Sequence, residues 1–141
     1  MRMSAAKFAG VLVVGGALLS TTACGLVGGE KKAACDNIES ELKSLTSGGA
    51  PATSGSAAAS SAQKWSDAAA KIRAEGQKAG GDVESAATRF AGDLDSTATM
   101  LRNLSSGNLS AGARPNTSSM MQNAQDLGKA CGFANTGFRF G

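Results

Sequence analysis

The stretch "AAKIRAEGQKAGGDVESAATRF", residues 69–90, decides the fold because it contains two helical patterns separated by a glycine pair. Small and apolar residues recur at spacings of three and four on both sides, which places them on one face of an α-helix. The positions are Ala69, Ile72, Gly76 and Ala79 before the pair, and Val83, Ala86 and Phe90 after it. The pair "GG" ends the first helix, and Asp82 is expected to cap the second. The stretch therefore predicts a helical hairpin.

Further segments with the same spacing flank this hairpin. The second helix is expected over 57–79, the third from 82 to about 104, a first over 32–46, and a fourth from near 114 to 131. The Gly- and Ser-rich residues 47–56 have the composition of a flexible linker. No segment alternates with a period of two, so the prediction is all-α: a small antiparallel bundle of three to four helices with an Ala-rich core.

The first 23 residues have the three-part layout of a secretory signal peptide. Arg2 and Lys7 form a basic start, residues 8–19 are apolar, and the small residues "STTA" follow. The alternative, an uncleaved membrane helix, is disfavoured because residues 8–23 are short for a bilayer core of about 30 Å. A buried helix is disfavoured by the glycines within the segment. We expect residues 1–23 to be removed.

The residues before Cys24 resemble the lipobox of bacterial lipoproteins, in which small residues precede the modified cysteine. Ala23 and Gly25 fit this pattern, whereas Thr21 stands where the family usually has an aliphatic residue. The resemblance implies that the Cys24 thiol receives a diacylglycerol with chains such as palmitate. Two acyl chains are enough for stable anchoring. The expected location is the extracytoplasmic face of the cell membrane; the alternative is a secreted protein cut just after "TTA".

The three cysteines support this interpretation, because an odd number in an exported protein requires an explanation. If Cys24 is lipidated, Cys35 and Cys131 remain and can pair in an oxidising compartment. Cys35 opens the first helical stripe and Cys131 closes the fourth, and these positions share one end of an up-down-up-down bundle. We therefore predict a Cys35–Cys131 disulfide. A Cys24–Cys35 bridge and an intermolecular bridge are the alternatives.

Composition excludes several functions. The chain has no His and no CxxC motif, so we expect no metal site, no cofactor and no His-based catalytic site. After removal of Arg2 and Lys7, twelve of the fourteen basic residues face eleven acidic ones. This near-neutral, interspersed pattern argues against nucleic acid. The i, i+2 carboxylate pairs, such as Asp93 with Asp95, diverge on a helix and are interpreted as solvated faces.

Three aromatic residues are the candidate interaction residues. Trp65 is either the core anchor of the second helix or an exposed aromatic for a partner or a cell-wall glycan. Phe138 and Phe140, with Phe133, either pack over the bundle end or form a docking tail. The expected organisation is a signal peptide over 1–23, a flexible tether over 24–32, a helical bundle over 33–134 and a tail over 135–141.

The exported part resembles the small helical lipoproteins and small secreted proteins of actinobacteria, a family of unknown function. The shared features are "CDNIESEL" at 35–42, "KWSDAAAKIRAEGQKAGGDVESAA" at 64–87 and "KACGF" at 129–133. The resemblance implies no catalytic residues. We expect a non-catalytic envelope lipoprotein, anchored through Cys24, that binds an envelope protein or a cell-wall component. The alternative is an extracytoplasmic carrier of a small ligand or lipid, with a cavity inside the bundle.

Overall fold

The computed structural model describes residues 27–108 and 115–133, and the regular structure of these residues is α-helical throughout. The four helices are α1 (Val27–Ser47), α2 (Gly55–Ala79), α3 (Gly81–Ser105) and α4 (Thr117–Cys131). Each packs against the next in chain order, and the most extensive contact is between α2 and α3. This arrangement confirms the predicted all-α bundle. The predicted signal segment lies outside the described residues.

The glycine pair joins α2 and α3 with a single linking residue. Gly80 has φ 68° and Gly81 has φ 56°, backbone conformations that favour glycine. The expected cap at Asp82 is wrong: α3 begins at Gly81, Gly80 occupies the capping position, and no side chain caps the helix. Because the two glycines reverse the chain so tightly, Asp82 falls inside the first turn. There its carboxylate faces the positive end of the helix dipole.

The core largely follows the predicted stripes of α1, α2 and α3, whereas only Leu127 of the stripe predicted for α4 is buried. The core members are mostly alanines, with a few larger side chains between them. The largest fully buried side chains of the described residues are Phe90, Ile38, Ile72, Leu94, Leu101, Leu127 and Val83. Every predicted stripe position of α1 is buried, and on α3 only Leu104 is half-buried instead of buried. An Ala-rich core between two long helices requires close backbone approach, since alanine fills little volume.

Gly76 lies where α2 and α3 approach each other closely. A Cβ added at this position would overlap the Cβ of Ala87, and it would lie 3.5 Å from the Cα of Glu84. Gly76 itself is buried. A hydrogen atom in place of a side chain is therefore what lets the two helices pack at this distance.

We expect Gly76→Ala to lower the free energy of unfolding by about 1–3 kcal/mol, the usual cost of overpacking a filled core. The matched control is Gly92→Ala in α3, where an added Cβ meets nothing within 4 Å. That control is expected to raise stability by about 0.5–1 kcal/mol, because alanine is the better helix former. Urea unfolding followed by circular dichroism measures both. Equal stabilities of the two variants would contradict the close-packing assignment.

The first helix is longer than its pattern predicted. It begins at Val27, so residues 27–32 of the expected flexible tether are helical. Glu30 lies in the first turn, and Lys32 forms an ion pair of 2.7 Å with Asp36 one turn later. Both features stabilise an exposed helix start that carries no apolar stripe. The rest of the tether lies outside the described residues.

The connection between α1 and α2 is shorter than the predicted linker. Residues 48–54 lie between the helices, because α1 extends to Ser47 and α2 already begins at Gly55. The connection is also tied to the bundle: the backbone N–H of Ala52 donates to the Ser61 Oγ at 3.2 Å. This hydrogen bond holds the connection against the first turns of α2.

A side-chain cap precedes the fourth helix, and a glycine ends it. The Asn116 side chain accepts hydrogen bonds from the backbone N–H groups of Ser118 and Ser119. Gly132, in the left-handed conformation, ends the helix. The N–H of Phe133 then donates to the Gly128 carbonyl at 2.6 Å, and Phe133 packs against the core cluster. Thus this aromatic covers the bundle end, as one of its two predicted roles requires.

Candidate functional site

A disulfide joins Cys35, about two turns into α1, to Cys131, the last residue of α4. The sulfur atoms of Cys35 and Cys131 are 2.09 Å apart, the two Cα atoms are 5.4 Å apart, and the cysteines are separated by 96 positions in the chain. Cys35 is buried and Cys131 half-buried. This confirms the predicted pairing and excludes a Cys24–Cys35 bridge in this structure. Because α1 and α4 otherwise touch at few points, the disulfide is their principal link.

The predicted lipidation site, Cys24, lies outside the described residues, as do Phe138 and Phe140 of the predicted tail. Within residues 27–108 and 115–133, no helix is long and apolar enough to cross a membrane. The first described residue, Val27, follows Cys24 by three positions.

Trp65 fills the predicted core role only in part. The residue is half-buried and packs against the core cluster. It also lines a surface depression of about 200 Å³, here called the Trp65 depression. The lining residues come from the end of α1, the connecting turn and the start of α2: Leu45, Gly48, Gly49, Ala50, Pro51, Ser60, Ser61, Lys64 and Trp65. Sequence reasoning found Trp65 but not its neighbours, because they meet only through the path of the turn.

The polar groups of the Trp65 depression are a lysine and two serines. A Cβ added to Gly48 would lie 2.8 Å from the Lys64 Nζ, so the ammonium lies directly over this glycine. Among the described residues, Lys64 has no carboxylate partner. The Ser61 Oγ accepts the Ala52 N–H, which leaves its own hydrogen available to donate. The Ser60 hydroxyl donates to the Ser56 carbonyl and can still accept.

Carboxylates that the sequence pattern assigned to solvated faces connect neighbouring helices. Asp95 accepts from Arg73 of α2 at 2.9 Å, whereas Asp93 accepts from Asn123 of α4 at 2.7 Å. The i, i+2 spacing therefore does make the pair diverge, as predicted, but each member reaches a different helix. The side chains of Arg73 and Asp95 are 37% and 44% exposed. Such pairs contribute little stability and chiefly define the relative register of the helices.

Two further polar contacts join α1 to α2. The Asn37 amide donates to Glu75, and Lys71 donates to Glu41 at 2.9 Å. Partners advance along one helix as they retreat along the other, as antiparallel packing requires. Hydrogen bonds from Lys78 and Asn37 lower the pKa of Glu75, and the hydrogen bond to Glu41 raises the pKa of Lys71. Both shifts favour the charged forms at neutral pH.

Other depressions lie on the surface of the bundle. One of about 390 Å³ follows the outer face of α4 and includes Met121, which is 45% exposed. Another of about 390 Å³ lies beside the disulfide, and Lys31, Lys32, Asp36 and Glu39 are among its lining residues. Neither is enclosed by the four helices, where the carrier hypothesis places its ligand. In the described part of the chain, no three metal-ligating side chains cluster.

The described residues thus define a class: a disulfide-closed, Ala-rich four-helix bundle with an aromatic and basic depression at one end. No family model, curated protein or solved structure matches this chain. A function for this chain is therefore inferred from its sequence and from the geometry of its described residues.

Proposed function

We propose that this chain is a non-catalytic cell-envelope lipoprotein of the actinobacterial type, held on the outer face of the cell membrane by a lipid on Cys24. The observation that carries the proposal is the pairing of Cys35 with Cys131. It leaves Cys24 as the one cysteine of the chain without a described partner. Cys24 directly follows an apolar segment and the small residues "STTA", the position at which a lipobox-type signal presents its thiol.

The start of α1 supports a short attachment to the membrane. Only Gly25 and Leu26 separate Cys24 from the helix, so even a fully extended chain spans about 11 Å from Cys24 to Val27. The start of α1 is therefore held close to the lipid headgroups. The end of α1 lies about 30 Å from its start, since the helix has 21 residues. The Trp65 depression lies at that end of α1, away from the point of attachment.

The experiment is Cys24→Ser in the native host. The wild-type chain is expected in the membrane fraction with an added diacylglyceryl mass, and the variant is expected to lose both. The matched control is the double variant Cys35→Ala, Cys131→Ala, which removes two thiols but keeps the lipid and the membrane location. Membrane association and a lipid mass that persist in Cys24→Ser would overturn the proposal.

A further inference from the structure

The Trp65 depression has the dimensions and groups of a subsite for one ligand residue. Its volume of about 200 Å³ is below the roughly 300–1,000 Å³ of pockets that hold drug-sized molecules. A single sugar ring or one amino acid fits such a volume. Three separate segments of the chain line it, in contrast to the depression on α4, which is one helix face. Contacts from several sides are what a specific ligand requires.

Trp65 forms the aromatic side of the depression. The residue packs against the core cluster and is half-buried, so part of its surface contacts the core and part remains accessible. An indole offers a flat apolar surface together with one N–H donor. A pyranose has the complementary shape, because its C–H groups form apolar faces and its hydroxyls lie around the edge. A sugar ring in the depression would contact Trp65, and the serines Ser60 and Ser61 of the same lining offer partners for its hydroxyls.

The basic side of the depression selects for an anion. Most described lysines form ion pairs with carboxylates, as Lys71 does with Glu41. Lys64 and Lys31 are the lysines without such a partner in the described part of the chain, and the Lys64 ammonium lies beside Gly48, which lines the depression with it. A carboxylate on the ligand would make charge-assisted hydrogen bonds to this group.

We propose that the Trp65 depression binds one carboxylate-bearing sugar residue of an acidic glycan, with its ring against Trp65 and its carboxylate on Lys64. This inference deepens the proposed function, because it assigns the surface at the end of α1 to a wall polysaccharide. An apolar peptide side chain fits less well, since Ser60, Ser61 and Lys64 bring polar groups into the lining.

The test uses the fluorescence of Trp65, which is the only tryptophan in the chain and therefore reports on this site alone. The full chain, purified in detergent, is titrated with glucuronate, glucose and acetate. We expect glucuronate to change the emission with a dissociation constant on the order of 1 mM. Glucose lacks the carboxylate and acetate lacks the ring, so each is expected to bind at least about tenfold more weakly.

The variant Lys64→Gln is expected to weaken glucuronate binding by about tenfold or more. Lys31→Gln is the matched control, because Lys31 is another exposed lysine with no carboxylate partner among the described residues, at the far end of the bundle. It is expected to leave the affinity unchanged. Amide chemical shifts of Gly48, Gly49 and Ser61 provide a second readout, and circular dichroism verifies that each variant is folded.

Three results would overturn the inference: no response to glucuronate, equal binding of glucose, or equal binding of acetate. Equal effects of Lys64→Gln and Lys31→Gln would also overturn it. Binding of short acidic peptides in preference to glucuronate would assign the depression to a protein partner instead. None of these results bears on the lipid at Cys24, and loss of the lipid does not bear on them, so the two proposals fail separately.

Discussion

Replacing both Cys35 and Cys131 by alanine is expected to lower the free energy of unfolding by about 4–5 kcal/mol. The disulfide closes a loop in which the cysteines are 96 positions apart, and in the chain-entropy model a loop of this length corresponds to about that stabilisation. Small domains have a total stability of about 5–15 kcal/mol. The double variant is therefore expected to lose a large part of its stability.

Thermal and urea unfolding followed by far-ultraviolet circular dichroism measure this change. Removing both cysteines avoids leaving a free thiol, and Cys24→Ser is the matched control that keeps the disulfide. Hydrogen exchange is expected to show α4 losing protection first, because α1 and α4 otherwise touch at few points. A loss of stability below about 1 kcal/mol would mean that α4 is held by its packing on α3 alone, against the role assigned to the disulfide.

Phe90→Ala is expected to lower the free energy of unfolding by about 3–5 kcal/mol, the usual cost of truncating a buried aromatic. Phe90 is the largest fully buried side chain of the described residues, with 1% of its surface exposed. It belongs to the core cluster together with Ala86, Ala87 and Ala91 of its own helix. The side chains of these alanines are too short to fill the space that the Phe90 ring leaves, so the cavity is expected to remain open.

Two further variants control the Phe90 measurement. Phe90→Leu keeps most of the volume and is expected to cost less than about 1.5 kcal/mol. Met121→Ala removes a large apolar side chain that is 45% exposed, so its effect is expected within about 0.5 kcal/mol. If Phe90→Ala and Met121→Ala were equally stable by urea unfolding, Phe90 would not be the centre of the core.

Much of the fold follows from local pattern. The spacing of small and apolar residues predicts the buried faces of α1, α2 and α3, and the positions of Cys35 and Cys131 on the stripes of α1 and α4 predict their pairing. On α4 only Leu127 of the predicted stripe is buried, because that helix packs mainly against α3. The helix ends are harder to predict. The glycine pair permits so tight a reversal that α3 begins before Asp82, and charged side chains extend α1 back to Val27 without an apolar stripe.

The candidate site could be predicted only in part. Trp65 stands out as the single tryptophan, but its neighbours Gly48 and Lys64 belong to different segments, and they meet only because the 48–54 connection folds onto α2. The partners of Asp93 and Asp95 likewise depend on the register between helices. Side-chain period within one helix carries no information on that register. Long-range geometry therefore had to come from the structure.

The intact mass of the protein from the membrane fraction of its native host tests the central claim most directly. The account predicts a chain that begins at Cys24, carries a diacylglyceryl group and has two hydrogens fewer than the reduced form because of the Cys35–Cys131 bridge. Proteolytic digestion followed by mass analysis of the peptide that contains Cys24 would show whether the lipid is on this residue. An unmodified chain that retains residues 1–23, or one cut elsewhere without a lipid, would contradict the account.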